Sequence, residues 1–362
     1  MMTLPYWLLF ATISAFSISE MARFFRPLRQ VLGFITALAL VLFVGLRYES
    51  VDYAGYQVIW DRVSFQSFGL PFFSAPGGTT GNEFLFASIL SAYKAIGLPF
   101  EVFLFSVALA SLAIKFHFFR RYSPYFLICV VLYLSIGFFK DLGQIRNALA
   151  AAILLFSIEP ILRRQPVRFL LVVLAAFGVQ AFALVALPLY WLYPILRNRV
   201  FLTVCLVLAF TISTLGGTMG IIFYLLDFLP SRMFSKILGY YYSEGNIALY
   251  YHPLNLTFFL FALLFVWFSP ALTRHLHAAP VLVLFHVYST VIYFLSFDFS
   301  PIAGRIFELL SFNSVIILST QFALLLPKDL RLLYFLSLIL YSALLFSSGV
   351  SGAAPYQNIL FR

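Results

Sequence analysis

Apolar runs recur along the whole chain with short connections between them, and no other sequence feature limits the possible folds as strongly. A helix that crosses the roughly 30 Å hydrocarbon core of a membrane needs about 20 residues, so the shorter runs must be tilted, re-entrant or extended by flanking aromatic residues. The thirteen runs are Leu4 to Met21, Leu28 to Leu46, Phe84 to Leu98, Val102 to Phe119, Tyr125 to Phe139, Leu142 to Ile158, Val167 to Val179, Phe182 to Leu196, Phe201 to Leu215, Leu254 to Phe268, Ala279 to Phe297, Ile306 to Leu326 and Leu330 to Phe346.

The composition agrees with a membrane protein. Apolar residues make up 63% of the chain and charged residues 10%, whereas soluble domains are about half apolar and a quarter charged. We therefore predict an all-α integral membrane protein, a polytopic bundle of about 11–13 transmembrane helices. It would form a single membrane domain over residues 1–362, with its first apolar run retained as a span.

The net charge of +10 comes from basic clusters in short connections, as the positive-inside rule expects of cytoplasmic loops. We therefore expect no nucleic-acid partner. The N-terminus and two longer loops, at about residues 47–82 and 216–253, then lie on the outer side. The clusters are Arg23, Arg26 and Arg29; Arg120 and Arg121; Arg163, Arg164 and Arg168; Arg197 and Arg199; and Lys328 and Arg331.

This topology requires an odd number of crossings between the first outer loop and Arg120. One of the runs in this interval must therefore not span. We assign Phe84 to Leu98 as a re-entrant or partly inserted helix because Lys94 lies in its interior, and the opposite choice remains an alternative. Residues Val167 to Leu196, between two basic clusters, are predicted to form a helical hairpin with its outer tip near Gly178 to Ala181.

Three arginines, Arg47, Arg146 and Arg305, fall at the outer ends of predicted spans, where the charge rule does not require them. An arginine inside a membrane normally has a partner or a ligand. Each has a structural alternative: Arg47 could snorkel at the interface, Arg146 could pair with Glu83, and Arg305 could pair with Asp298. We also predict that Asp141 caps the helix that carries Arg146.

Arginine suits a multiply charged anion because its planar fork pairs two N–H groups with phosphate oxygens and keeps its charge when desolvated. A lipid-linked pyrophosphate fits this pattern, with its tail in the bilayer and its sugars at the outer loops. Motifs for nucleotide hydrolysis, dinucleotide binding and zinc hydrolysis are missing from the sequence. We therefore expect no metal and no cofactor.

Several short strings resemble the EpsG/Wzy-type bacterial polysaccharide polymerases. They occur in the family's order over most of the chain, although the tip of the central hairpin has Gln180 where the family has an aromatic-His pair. The strings are Gly45-Leu46-Arg47-Tyr48, Asp52-Tyr53-Ala54-Gly55-Tyr56, Glu83-Phe84-Leu85, Gln144-Ile145-Arg146-Asn147-Ala148-Leu149-Ala150, Gly304-Arg305-Ile306 and Pro355-Tyr356-Gln357-Asn358.

The resemblance implies a glycosyltransferase of the bacterial inner membrane, multi-pass, with its active site facing the periplasm. It would transfer a growing glycan from undecaprenyl pyrophosphate to the nonreducing end of a lipid-linked repeat unit. Its partners would be that lipid-linked oligosaccharide and membrane lipids, and could include a chain-length regulator protein. A transporter or flippase of lipid-linked oligosaccharide, an O-antigen ligase and a structural membrane subunit remain alternatives.

The candidate site residues follow from these patterns. A carboxylate or an imidazole is the usual agent that removes the acceptor proton, and Asp52, Glu83, Asp298 and His252 are the candidates, with Asp52 or Glu83 favoured. The predicted catalytic residues are Asp52, Glu83, Arg146 and Arg305. The predicted substrate-binding residues are Arg47, Tyr48, Tyr53, Tyr56, Lys140, Gln144, His252 and Asp298.

Overall fold

A computed structural model describes residues 3–20, 26–48, 50, 52–63, 83–194, 198–214, 253–297 and 300–359. Over these ranges the chain is almost entirely helical, with one two-stranded antiparallel sheet. The elements are α1 (Leu4–Ile18), α2 (Arg26–Gly45), β1 (Arg47–Tyr48), α3 (Tyr53–Arg62), α4 (Phe84–Ala95), α5 (Phe100–Tyr122), α6 (Phe126–Ile136), α7 (Phe138–Leu142), α8 (Ile145–Leu154), α9 (Ile158–Leu162), α10 (Pro166–Val179), α11 (Leu189–Leu192), α12 (Arg199–Thr214), α13 (Pro253–His275), α14 (Ala279–Leu295), α15 (Ser300–Phe322), α16 (Lys328–Ser351) and β2 (Gln357–Asn358).

The prediction of an all-α polytopic membrane protein is confirmed. Among the described residues, six helical segments are long and apolar enough to cross a membrane, and seven shorter apolar helices accompany them. The six are Pro27–Gly45, Phe100–Tyr122, Ile145–Leu162, Leu256–His275, Ile302–Leu325 and Lys328–Ser351.

The helices pack into two compact units. The first unit comprises Met1–Leu187 and Ser319–Arg362, and the second comprises Pro188–Leu318. The residues of α15 from Ser319 onward therefore belong to the first unit.

The basic connections within the first unit meet at one end, which we call the basic end. Glu159 accepts hydrogen bonds from Arg121 at 2.9 Å and from the Tyr122 hydroxyl at 3.2 Å, and it lies 3.2 Å from Arg163. The side chain of Gln321 donates to the carbonyl of Tyr122, which places the end of α15 beside the end of α5. Three predicted cytoplasmic connections thus share one end, as the charge pattern requires.

The opposite end of the first unit, which we call the site end, gathers the N-terminal part of α1, the end of α2 and the C-terminal strand. The Tyr6 hydroxyl donates to the carbonyl of Ala354 at 3.0 Å, and its ring lies 5.7 Å from that of Phe43. Just after the other end of α1, the Glu20 carboxylate accepts a hydrogen bond from the backbone N–H of Ile128 at 3.2 Å and so caps α6. The helix α1 therefore runs from the site end to the basic end.

The short helices α3 and α4 both lie at the site end. Lys94, in the last turn of α4, donates to the carbonyls of Trp60 at 2.7 Å and Asp61 at 3.0 Å, which lie in the last turn of α3. Tyr53 in α3 contacts Phe100, the first residue of α5, with ring centroids 5.5 Å apart. The chain thus leaves α2 and enters α5 at the same end, which supports the assignment of residues 84–98 as a segment that does not span.

The turn between α4 and α5 depends on a glycine. Gly97 has a backbone φ of 75°, an angle that residues with a Cβ rarely adopt. Pro99 follows and precedes the first residue of α5.

The central hairpin is broken near its predicted tip. The helix α10 ends at Val179, and Gln180 is extended with φ −146° and ψ 119°. The return segment is a 3-10 helix, Ala181–Ala186, followed by the single turn of α11, so the second arm is less regular than the predicted helix.

A buried histidine joins three helices of the second unit. His286 of α14 has Nε2 3.1 Å from the carbonyl of Phe258 in α13, and Nδ1 2.7 Å from the hydroxyl of Ser311 in α15. A carbonyl can only accept, so Nε2 carries the proton and Nδ1 accepts from Ser311. His286 is therefore a structural residue, as its place in an apolar run indicates.

Candidate functional site

Tyr56 brings two of the three predicted arginines into one neighbourhood at the site end of the first unit. Arg146 hydrogen-bonds to the Tyr56 hydroxyl and lies over its ring, 5.5 Å from the centroid. Arg47 also interacts electrostatically with Tyr56. Burial raises the pKa of Tyr56 and the positive charge of Arg146 opposes that shift, so the hydroxyl stays neutral at physiological pH and can donate as well as accept.

Arg47 is buried, with 2% of its surface exposed. Its Nη1 donates to the carbonyl of Val44 at 2.6 Å. Burial lowers the pKa of Arg47 to about 10, against the effect of the nearby Asp141 carboxylate, so the guanidinium keeps its charge at neutral pH. In this conformation Arg47 supplies positive charge to the site from within the protein and does not reach the surface.

The C-terminal segment holds Arg47 in place. Arg47 pairs with Asn358 in the β1–β2 sheet, and the backbone N–H of Ile359 donates to the carbonyl of Leu46 at 3.0 Å. The Tyr356 ring stacks on Phe43 with centroids 3.8 Å apart, and its hydroxyl donates to the carbonyl of that residue at 2.9 Å. The terminal string found in the sequence therefore supports the string that contains Arg47.

Arg146 forms an ion pair with Glu83, in which Nη1 donates to Oε2. The two side chains are partly exposed, at 26% for Arg146 and 13% for Glu83. The ring of Phe86 lies 5.8 Å from the Arg146 guanidinium. The structural alternative raised by the sequence, a pair with Glu83, is thus present in the structure.

Asp141 does not cap the helix that carries Arg146, and that prediction is wrong. Asp141 lies within α7, and Gln144 is the residue that precedes α8. The carboxylate instead accepts three hydrogen bonds from other helices. The donors are Ser111 Oγ at 2.5 Å, Lys115 Nζ at 2.5 Å and the Tyr133 hydroxyl at 2.7 Å.

The ion pair of Lys115 and Asp141 is almost fully buried, with side-chain exposures of 4% and 2%. It was missed in the sequence analysis, although a signal was present, since Lys115 is a charged residue inside an apolar run. The pair ties α7 to α5, and Arg146 follows α7 after one short turn.

Among the described residues, the charged groups linked to Tyr56 and Asp141 do not cancel. The cations are Arg47, Lys115 and Arg146, and the carboxylates are Glu83 and Asp141, so this described group has one positive charge in excess. A positive excess in an apolar surrounding favours the binding of an anion.

The other predicted residues of the first unit also lie at this end. Asp52 precedes α3 and interacts electrostatically with Tyr56. The ring of Tyr48 lies 5.3 Å from that of Tyr53. Lys140 is in α7, and Gln144 precedes α8 with its Oε1 buried and without a hydrogen-bond partner among the described residues.

Arg305 lies in the other unit. It occupies the N-terminal part of α15, is half-buried and has interactions of its own. His252 and Asp298 lie outside the described residues, as do most of the two predicted outer loops. A common site for all three arginines therefore stays a prediction. Over the described ranges, no group of three or more His, Cys, Asp or Glu side chains could hold a metal ion.

The comparisons with known proteins identify the family. No curated protein and no solved structure matches the chain. The sequence model of the EpsG family matches residues 30–360, a range that includes every candidate residue named above. The match supports a multi-pass membrane protein of the polysaccharide-polymerase type. The chain belongs to the EpsG family.

Proposed function

We propose that the chain is a glycosyltransferase that polymerises a glycan from undecaprenyl-pyrophosphate-linked repeat units at the periplasmic face of the bacterial inner membrane. The observation that carries the proposal is the positive excess of the described group around Tyr56 and Asp141, with Arg146 partly exposed. Family membership supports the reaction class.

The reaction transfers the growing glycan to the next lipid-linked unit. A hydroxyl oxygen at the nonreducing end of that unit attacks the anomeric carbon of the growing chain and forms the new glycosidic bond. The bond between that carbon and the pyrophosphate oxygen breaks, and its electron pair stays on the pyrophosphate. The hydroxyl proton passes to a carboxylate of the protein, for which Glu83 or Asp52 is the candidate.

Arg146 stabilises the charge that develops on the leaving pyrophosphate, because a preorganised guanidinium in a low-dielectric site interacts strongly with an oxyanion. Arg47 adds to the positive potential from its buried position. Arg305, which belongs to the other unit, is proposed as a further catalytic residue. The lipid tail remains in the bilayer, and the sugars contact aromatic and polar residues such as Tyr48, Tyr53 and Gln144.

Incubation of the purified protein with synthetic lipid-pyrophosphate repeat units tests this proposal. A polymerase produces a ladder of longer glycans and releases undecaprenyl pyrophosphate. A flippase moves the substrate across vesicles without elongation, and a ligase requires a different acceptor, so either result contradicts the proposal.

The same assay tests the expectation that arginines replace a divalent metal. We expect elongation to continue in EDTA, because the guanidiniums provide the charge neutralisation that a metal provides elsewhere. Loss of activity in EDTA that magnesium restores would contradict this expectation.

A further inference from the structure

The guanidinium that the proposed function assigns to the leaving pyrophosphate already holds a carboxylate. Glu83 Oε2 accepts from Nη1 of Arg146, while Nε of Arg146 is buried and has no hydrogen-bond partner among the described residues. The Tyr56 ring and hydroxyl hold the guanidinium from another side. An arriving diphosphate must therefore compete with Glu83 for Arg146.

We propose that Glu83 and the substrate pyrophosphate exchange places on Arg146, and that the released carboxylate of Glu83 is the base that takes the acceptor proton. This inference rests on the proposed function and assigns a role to each member of the ion pair. Binding of the donor substrate would then produce the active base, so the two events are coupled.

The exchange and the transfer that follows it conserve atoms and charge. The pyrophosphate oxygens accept hydrogen bonds from Arg146, and Glu83 leaves as a carboxylate. The acceptor hydroxyl loses its proton to that carboxylate while its oxygen bonds to the anomeric carbon. The bond from that carbon to the pyrophosphate breaks, and the extra negative charge on the pyrophosphate faces Arg146. Release of the pyrophosphate and loss of the proton to water restore the ion pair.

Charge and geometry favour the exchange. A diphosphate carries more negative charge than a carboxylate and presents several oxygens to the planar guanidinium, so it is the stronger ligand. A carboxylate that loses its cation holds a proton more readily, and it therefore becomes a better base. In the resting pair Glu83 is the weaker base, which limits proton transfer before the donor is bound.

The two ion pairs of the site end differ in the way that this exchange requires. The pair of Lys115 and Asp141 is almost fully buried, at 4% and 2% exposed, and Asp141 accepts two further hydrogen bonds from Ser111 and Tyr133. The pair of Arg146 and Glu83 is partly exposed, at 26% and 13%. Opening a pair costs less when water can reach the separated charges, so the pair with Glu83 is the one that can exchange.

Pyrophosphate binding to the variant Glu83→Gln gives the test. Inorganic pyrophosphate serves as the probe, and its affinity for the purified protein is measured by calorimetry. We expect Glu83→Gln to bind it about threefold to tenfold more tightly, because a neutral amide competes less for Arg146 than a carboxylate does. The same variant should lose elongation, because the amide cannot take a proton.

An unchanged or weaker affinity in Glu83→Gln would overturn the proposal, since a purely structural pair only orients Arg146. Glu159→Gln is the matched control. Glu159 forms ion pairs with Arg121 and Arg163 at the basic end, so its loss should leave both pyrophosphate affinity and elongation unchanged.

A second measurement uses the wild-type protein, so it does not depend on the folding of a variant. Carboxyl groups are labelled with a carbodiimide and an amine, with and without pyrophosphate, and the labelled residues are identified by mass spectrometry. We expect pyrophosphate to increase the labelling of Glu83 severalfold relative to Glu159, which corrects for reagent consumed by the phosphate. Equal labelling of Glu83 in both conditions would overturn the exchange.

The outcomes separate the exchange from the function itself. Suppose that the wild type elongates lipid-linked units, but that Glu83→Gln does not bind pyrophosphate more tightly and pyrophosphate does not increase the labelling of Glu83. The exchange is then wrong, whereas the proposed polymerase function is supported. If the wild type does not elongate, the proposed function fails whatever Glu83 does.

Discussion

At the scale of single residues, the site depends on how one guanidinium is held. Arg146 is fixed by an ion pair with Glu83, by the ring and hydroxyl of Tyr56 and by the ring of Phe86. These contacts leave Arg146 partly exposed and already oriented. Preorganisation of this kind lowers the cost of stabilising charge in a transition state.

We expect Tyr56→Phe to reduce the turnover of lipid-linked repeats about tenfold, with a smaller change in KM. The variant keeps the ring over Arg146 but removes the hydrogen bond to its guanidinium, and such bonds to charged groups contribute about 1.5–3 kcal/mol. The check is elongation kinetics beside Tyr125→Phe, which alters a ring packed on Phe335 and should leave turnover unchanged. Equal elongation rates for the wild type and Tyr56→Phe would show that the Tyr56 hydroxyl does not contribute to the reaction.

At the scale of elements, the buried charges connect the helices that carry the site. Asp141 in α7 is bonded to two residues of α5 and one of α6, and it also interacts with Arg47 next to α2. A single carboxylate therefore serves two cations. Its loss should affect the protein more than the loss of either cation.

Unfolding free energies of variants show how much Asp141 and Lys115 each contribute to stability. We expect Asp141→Leu to cost about 3–5 kcal/mol of unfolding free energy, because it leaves Lys115 and Arg47 without their common counter-charge. Lys115→Met should cost less, since Arg47 remains as a partner for Asp141. Unfolding by titration with a denaturing detergent gives both values, and a larger cost for Lys115→Met would contradict the assignment.

The contact between α10 and α4 gives a second prediction at this scale. A Cβ at Gly178 would lie 2.7 Å from the Cβ of Leu85 and 3.0 Å from ring atoms of Phe84, the residues that follow Glu83. Gly178→Ala should therefore destabilise the protein by about 1–3 kcal/mol and lower its activity by displacing the start of α4.

Gly55→Ala is the matched control for this contact. No atom lies within 4 Å of a Cβ at Gly55, which is in α3, so the change should stabilise the helix by roughly 0.5–1 kcal/mol. If the two alanine variants had the same melting temperature, the close approach at Gly178 would not be supported.

At the scale of the whole molecule, the sequence allowed prediction of the helices and of several basic connections that share one end. All thirteen apolar runs correspond to helical segments within the described residues. The parity of basic clusters predicted that one run before Arg120 does not span, and Lys94 was the reason to choose residues 84–98. Asp141 was assigned wrongly since local capping patterns do not reveal a partner 26 residues away in the sequence, as Lys115 is.

The candidate site was predictable in part for a similar reason. Arg146 could be selected because a charge within an apolar run is costly. Arg47 was selected because the charge rule does not require it at the end of its run, and Tyr56 and Glu83 because they lie in strings that resemble the family. The near-complete burial of Arg47 and the pairing of its strand with the C-terminal segment could not be predicted, because a two-residue strand has no periodic pattern.

Cysteine accessibility tests the topology. We expect cysteines placed at Gly55 and Ile96 to react with an impermeant thiol reagent from the outer side only, because α3 and α4 lie at the same end. A cysteine at Arg168 should react only from the cytoplasmic side, and Cys129 is buried. Reaction of Ile96→Cys from the cytoplasm would mean that residues 84–98 span the membrane.

The elongation rate of arginine variants on synthetic lipid-linked repeats shows whether guanidiniums near the outer side stabilise the leaving pyrophosphate. At equal protein amounts, we predict that Arg146→Lys and Arg305→Ala each lower kcat by about 10²- to 10³-fold, whereas Arg163→Lys at the basic end elongates at the wild-type rate. Wild-type rates for Arg146→Lys and Arg305→Ala would show that these guanidiniums do not stabilise the leaving pyrophosphate.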